Sequence, residues 1–350
     1  CQALMAEVVP PRERGRYQGY TATVFVVAAA LGPVIGAFLT LQFGWRAVFF
    51  INIPVGIFAF VLIFRLPNRQ APPSDGWHFD YRGLFYFTAF VVPLLLALEQ
   101  VRRFNMAGSL LMVALAVISA VSLYLLIRQQ RQAKSPLLPM ALMRLPTIWN
   151  CQLMILCHGA MMTALIAFLP LYMRVSGLGT IHDVGFMLLV YSFAIALSSI
   201  FVGRMVTRTG YTMIFPSIGM CVTTFMFIYI ALFAPSLSLR GLYLTIFFLA
   251  IAMGTVMTVS QVTIQAVAGR RQLGAASGSV QLARTVGAVF GTALFGTVLF
   301  ALLAFHDREA AASFGRLLNL GPEALQAYPA DRRAAIMAEI ASGFRWGYFL

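Results

Sequence analysis

Nine apolar runs, each long enough to cross a bilayer, fix what this chain can fold into. They lie near 20–41, 46–64, 82–99, 106–127, 147–173, 184–203, 212–234, 240–265 and 275–304, and a tenth begins near 343. The hydrocarbon layer is about 30 Å thick and a helix rises about 1.5 Å per residue, so roughly 20 consecutive apolar residues span it. Within lipid every backbone N–H and C=O must be satisfied, which a helix does inside one segment. The composition agrees, with 60% apolar residues, 10% charged residues and a mean hydropathy of +0.85. The expected fold class is an all-α integral membrane protein.

Charge then orients the runs. Of 25 basic residues 24 are arginine, and the formal net charge is +14. A basic chain raises nucleic acid as a partner, but these arginines stand in ones to fours between apolar runs, as topology signals do. If residues 1–18 lie inside, the inner loops carry 14 basic residues, among them Arg12, Arg14, Arg16, Arg128, Arg131 and Lys134. The short outer loops carry 5, namely Arg46, Arg102, Arg103, Arg174 and Arg240. Arg102 and Arg103 run against the rule, and the long outer segment from about 305 to 342 crosses largely regardless of charge. The four cysteines, Cys1, Cys151, Cys157 and Cys221, show no metal or redox spacing.

The most specific motif lies at 19–37. Gly19 is followed at fixed spacing by Ala28, the pair Gly32 and Pro33, then Gly36 and Ala37. None has a side chain beyond a methyl except the proline, so a neighbouring helix can approach the backbone, and Pro33 should kink the helix. Trp45-Arg46 and Phe50-Ile51-Asn52-Ile53-Pro54-Val55-Gly56 follow directly. The spacing resembles the antiporter motif of the major facilitator superfamily, and the second stretch resembles the signature of its fourteen-helix drug/proton antiporter branch, the EmrB/QacA type. Two motif glycines are alanine here, and Ala47 replaces the second tryptophan of the signature.

That resemblance implies a major facilitator fold, two pseudo-repeated helical halves with two extra helices between them. Residues 1–64 would then close the N-terminal half, 65–146 would hold two linkers and the inserted spans 82–99 and 106–127, and 147–350 would form the C-terminal half. Beginning at Cys1 rather than Met, the sequence is expected to be a fragment lacking about four preceding spans. Gly203, Arg208 and Gly210 match the superfamily's cytoplasmic loop motif, in which Thr207 stands here for the aspartate.

Ionisable and polar groups within spans are the candidate site, because the bilayer makes them costly. Between residues 100 and 300 the one acid is Asp183, at an outer span edge. Glu99, at the end of span 82–99, is either an interfacial anchor or a coupling carboxylate. His158 sits near the middle of its span with Met154 and Met161 on its face. It is either a buried histidine bonded to a carbonyl or a polar contact in a soft, adaptable cavity. Gly254, Met257, Thr258, Gln261 and Gln265 share a face of span 240–265, which either lines a cavity or bonds a neighbouring helix.

In span 275–304, Ala275, Ser279, Ala283, Gly287 and Gly291 recur every fourth residue as a close-packing ridge. Roughly opposite lie Ser277, Gln281, Arg284 and Ala288. Gln281 and Arg284 also hold the polar positions of a stretch familiar in the EmrB/QacA type, and Arg284 either snorkels to lipid phosphate or sets the potential of the path.

No paired carboxylate, metal spacing or phosphate loop is present, so no enzyme and no cofactor or metal is expected. The resemblance implies proton-coupled efflux of amphipathic or lipophilic drugs by alternating access. It places the chain as a multi-pass protein of the bacterial inner membrane, with lipid, protons, a small amphipathic substrate and a periplasmic adaptor protein as partners and no nucleic acid. A dedicated exporter of one metabolite or siderophore, and a membrane receptor or scaffold, are the alternatives.

Overall fold

The computed structural model describes residues 42–65, 80–101, 106–133, 140–233, 236–269, 272–306, 336, 337 and 339–344, with single positions between 9 and 40 and at 314. Ten helices are laid out among them: α1 (Ala47–Phe50), α2 (Asn52–Phe64), α3 (Tyr81–Val101), α4 (Met106–Gln132), α5 (Met140–Met143), α6 (Pro146–Val175), α7 (Ile181–Thr209), α8 (Ile214–Phe233), α9 (Leu239–Ala268) and α10 (Leu273–His306). No strand occurs among the described residues. Seven segments are long and apolar enough to cross a membrane: 47–64, 110–132, 146–175, 182–209, 214–233, 239–268 and 273–303. Each of the apolar runs from 46 to 304 is helical in the structure, the first of them as α1 and α2. The run at 20–41, the kink expected at Pro33 and the span expected from 343 fall largely or wholly outside the described residues.

Local chemistry sets the helix ends. Pro146 opens α6 at its first turn, where its missing N–H costs nothing, and the preceding Leu145 is extended. Asp183 and Thr180 form a reciprocal capping box at the start of α7: Asp183 accepts from the Thr180 N–H at 2.7 Å. Ser238 caps α9 by accepting from the Gly241 N–H at 3.2 Å. At its other end α7 stops at Gly210, whose φ of 75° only glycine adopts without strain.

α9 is the centre of the C-terminal group. It touches α6, α7, α8 and α10, and its run from Leu242 to Gln265 is largely buried. Lipid offers no hydrophobic drive for such contacts, so close backbone approach supplies the packing. Gly254 meets α7 this way, since an added Cβ would lie 2.8 Å from the Ile195 carbonyl oxygen. Ser198 and Ser199 of α7 donate to the carbonyls of Ile251 and Gly254, at 2.6 and 3.2 Å. Gly219 of α8 receives α9 at Ala252 and Thr255. At one end of the group Phe168, Tyr172, Phe295, Phe314 and Phe344 interlock, with Phe168 and Phe295 centroids 4.6 Å apart. The outward faces carry Leu153, Phe193, Phe201, Phe225 and Phe248, all exposed, as lipid-facing positions do.

Helices α3 and α4 pack on each other, and α3 also touches α10. Asp80 accepts from the Gly83 N–H at 2.8 Å and from the Gln130 side-chain amide at 2.7 Å, closing one end of the α3–α4 pair. Nearer the middle, Ser119 donates to the Phe90 carbonyl at 2.9 Å. By contrast, none of residues 47–64 is buried.

The arginine distribution fixes an expected orientation: the α7–α8 turn is cytoplasmic and the α6–α7 turn is external. A cysteine introduced at Thr209 should therefore react with an impermeant maleimide only from the cytoplasmic side, and one at Ser176 only from outside. Labelling of Thr209→Cys from outside would invert the arrangement.

Candidate functional site

The site grows from the crossing of α6 and α10. Both helices run in the same direction, and glycines bring their backbones together. At Gly159 an added Cβ would collide with the Arg284 carbonyl. At Gly287 it would collide with Leu156, and at Gly291 with Ala160. The ridge read from the sequence is thus a real contact surface, and its occupant is α6. Gln152 of α6 donates to Ser279 on the same ridge at 2.7 Å.

This contact sets His158 beside Arg284. His158 is only 3% exposed, and its Nδ1 has no hydrogen-bond partner. The carbonyl bond offered by one reading of the sequence is therefore not made at that nitrogen. Arg284 is half-buried, its Nε is shut away from solvent without a partner, and it lies within electrostatic reach of His158. No carboxylate among the described residues pairs with it. The Oε1 atom of Gln152 is likewise buried and unbonded. Unsatisfied groups of this kind cost about 1–3 kcal/mol each, so they collect where a protein has a use for them.

The polar face of α9 divides. Gly254 serves the contact with α7 described above, and Gln265 donates to Ser277 of α10 at 3.1 Å. Met257 packs with Cys151, Ile155, Ile264, Ala276 and Val280. Thr258 and Gln261 are buried, at 6% and 1% exposure. Met161 and Met162 lie against the main apolar core, while Met154 is half-buried outside it. On α10, Ser277 is buried and accepts from Gln265 of α9, whereas Gln281 is exposed. Gln152 was missed at the sequence level, although a glutamine inside an apolar run was a usable signal. Gly159, adjoining His158, was missed too.

The motif residues fall elsewhere. Ala28 and Gly32 are helical and exposed, Gly36 is helical and half-buried, and an added Cβ at Gly32 or Gly36 meets nothing within 4 Å. The close neighbour that the antiporter motif predicts is thus not among the described residues. Gly19, Pro33 and Ala37 lie outside them. In the signature, the Arg46 guanidinium sits 4.7 Å over the Trp45 ring and Asn52 donates to the Val48 carbonyl at 3.3 Å. In the loop motif Gly203 is buried, Thr207 donates to its carbonyl at 2.8 Å, Arg208 is exposed at the negative end of α7, and Gly210 caps it. No group of three or more His, Cys, Asp or Glu suited to a metal occurs among the described residues.

Comparison with known proteins completes the picture. The sequence profile of the Major Facilitator Superfamily matches residues 1–292. An uncharacterised MFS-type transporter of Mycobacterium tuberculosis is 32% identical over 295 residues, covering 83% of this chain and 42% of its own. The multidrug transporter protein MdtP of Bacillus subtilis is 28% identical over 294 residues, 82% of this chain and 53% of its own. A dehydrocurvularin exporter of Aspergillus terreus is 28% identical over 229 residues, 62% of this chain and 40% of its own. The chain spans about half the length of the curated relatives it matches.

Proposed function

The chain belongs to the major facilitator superfamily, and we propose that it acts there as a proton-coupled exporter of amphipathic or lipophilic compounds in the bacterial inner membrane. The observation that carries this reading is the set of unsatisfied polar atoms, His158 Nδ1, Arg284 Nε and Gln152 Oε1, at the α6–α10 crossing. Carriers of this architecture bind near the midplane between helices and expose the site alternately to each side. Half-buried Met154 and Met161 add a deformable apolar surface suited to substrates of varied shape. The likeness to MdtP, a multidrug transporter by name, favours broad substrate range. Likeness to a dehydrocurvularin exporter favours the second reading, export of one metabolite.

Proteoliposomes holding the full-length protein test this directly. Efflux of Nile red, a neutral lipophilic dye, should accelerate when a pH gradient is imposed and should stop when a protonophore collapses it. Gradient-independent dye movement equal to that of empty vesicles would remove the exporter reading and leave a receptor or scaffold. In the same assay His158→Ala and Gln261→Ala should reorder a panel of substrates rather than depress all of them equally. A uniform loss that follows protein abundance would make both residues packing elements.

A further inference from the structure

Resting on the exporter reading, we propose that Arg284 and His158 receive the carboxylate head of an amphipathic anionic substrate. The geometry begins with the glycine contact: Gly159 lets the α10 backbone at Arg284 touch α6, and this sets residues 158 and 284 side by side. Arg284 is half-buried and within electrostatic reach of the buried His158, whereas Gln281, one turn earlier on α10, is exposed. A guanidinium that only anchors the helix would point outward and find lipid phosphate or water. Here its Nε is enclosed and bonded to nothing, and no carboxylate among the described residues neutralises it. A guanidinium held this way, with an enclosed and unbonded Nε, favours an anionic partner.

The donor set selects the anion. A guanidinium presents parallel N–H groups that match the two oxygens of a planar carboxylate. His158, as its neutral Nδ1–H tautomer, adds a third donor without adding charge. One positive charge balances a monoanion, whereas a doubly charged phosphate would leave net charge enclosed. Beyond the head, Met161 and Met162, packed against the apolar core, offer a surface for an apolar tail.

The test uses the full-length protein in phosphatidylcholine vesicles with dansylaminoundecanoic acid, and its uncharged primary amide as control. The acid should bind about tenfold more tightly than the amide, the loss expected for one charge-assisted bidentate contact. Arg284→Gln should erase that preference. Arg284→Lys, which keeps charge without the fork, should retain part of it, and His158→Ala should weaken it. Equal affinity of the wild-type protein for acid and amide would overturn the proposal, and this comparison requires no variant to fold. A preference that survives Arg284→Gln would overturn it as well. Loss of acid binding on adding phosphatidylglycerol would show that the arginine holds a lipid headgroup, overturning the substrate assignment. Nile red efflux in the same vesicles separates the two readings. Dye efflux without acid preference removes only the carboxylate site, whereas acid preference without efflux removes the exporter and leaves the site standing.

Discussion

Replacing Gly287 with leucine is expected to destroy the packed C-terminal group, giving protein that aggregates on detergent extraction or melts far below wild type. A side chain there must enter the backbone of α6, because the first added carbon would stand 2.8 Å from the Leu156 carbonyl carbon and 2.9 Å from its Cα. Backbone atoms in the middle of a helix have nowhere to go. Overpacking by a methylene or two already costs about 1–3 kcal/mol where side chains can adjust, and here the obstacle is the main chain. Gly278 is the control on the same helix, since a Cβ there meets nothing within 4 Å. Gly278→Leu should leave thermal stability and size-exclusion behaviour unchanged. A Gly287→Leu protein as stable as Gly278→Leu would mean that α6 and α10 do not cross at these residues.

Arg284→Met should instead raise the thermal midpoint, although it removes a residue placed in the site. The guanidinium is half-enclosed with Nε unbonded, and arginine at depth costs more than an apolar side chain of similar length. A gain of about 1–2 kcal/mol is expected, discounted from the full insertion cost because part of the group stays open. Thermal unfolding of wild type and variant in one detergent measures it. A lower midpoint would show that the arginine holds the two helices together, which its lack of hydrogen bonds argues against. Stability gained as binding is lost is the signature of a group kept for use rather than for the fold.

The spans were legible because hydrocarbon thickness sets a length and lipid permits one backbone solution, so an apolar run reports a helix almost directly. The runs predicted at 147–173, 240–265 and 275–304 became helices at 146–175, 239–268 and 273–306. The ridge at Ser279, Gly287 and Gly291 was legible for the same reason, since a four-residue recurrence fixes a helix face. Its partner was not, because a period names a face without naming what approaches it. Only the fold shows that Gln152, Leu156 and Ala160 meet that ridge. The α9 face carried two readings for a similar reason. Gly254 and Gln265 bond or pack against α7 and α10, so one sequence stripe serves different neighbours at different heights. His158 was visible as a lone polar residue, but its missing carbonyl partner was a property of three dimensions.

The clasp between Asp80 and Gln130, with the Ser119 bond to Phe90, has a bearing on how such a chain acquires or loses helices. Each of these hydrogen bonds runs from one member of the α3–α4 pair to the other. Excising both helices together would therefore break none of them in the remaining protein. Excising one alone would strand Ser119 or the Phe90 carbonyl in a medium that offers no substitute, and would unpair Asp80 or Gln130 at the end of the pair. The two helices therefore behave as one unit, a hairpin whose members keep or lose these bonds together.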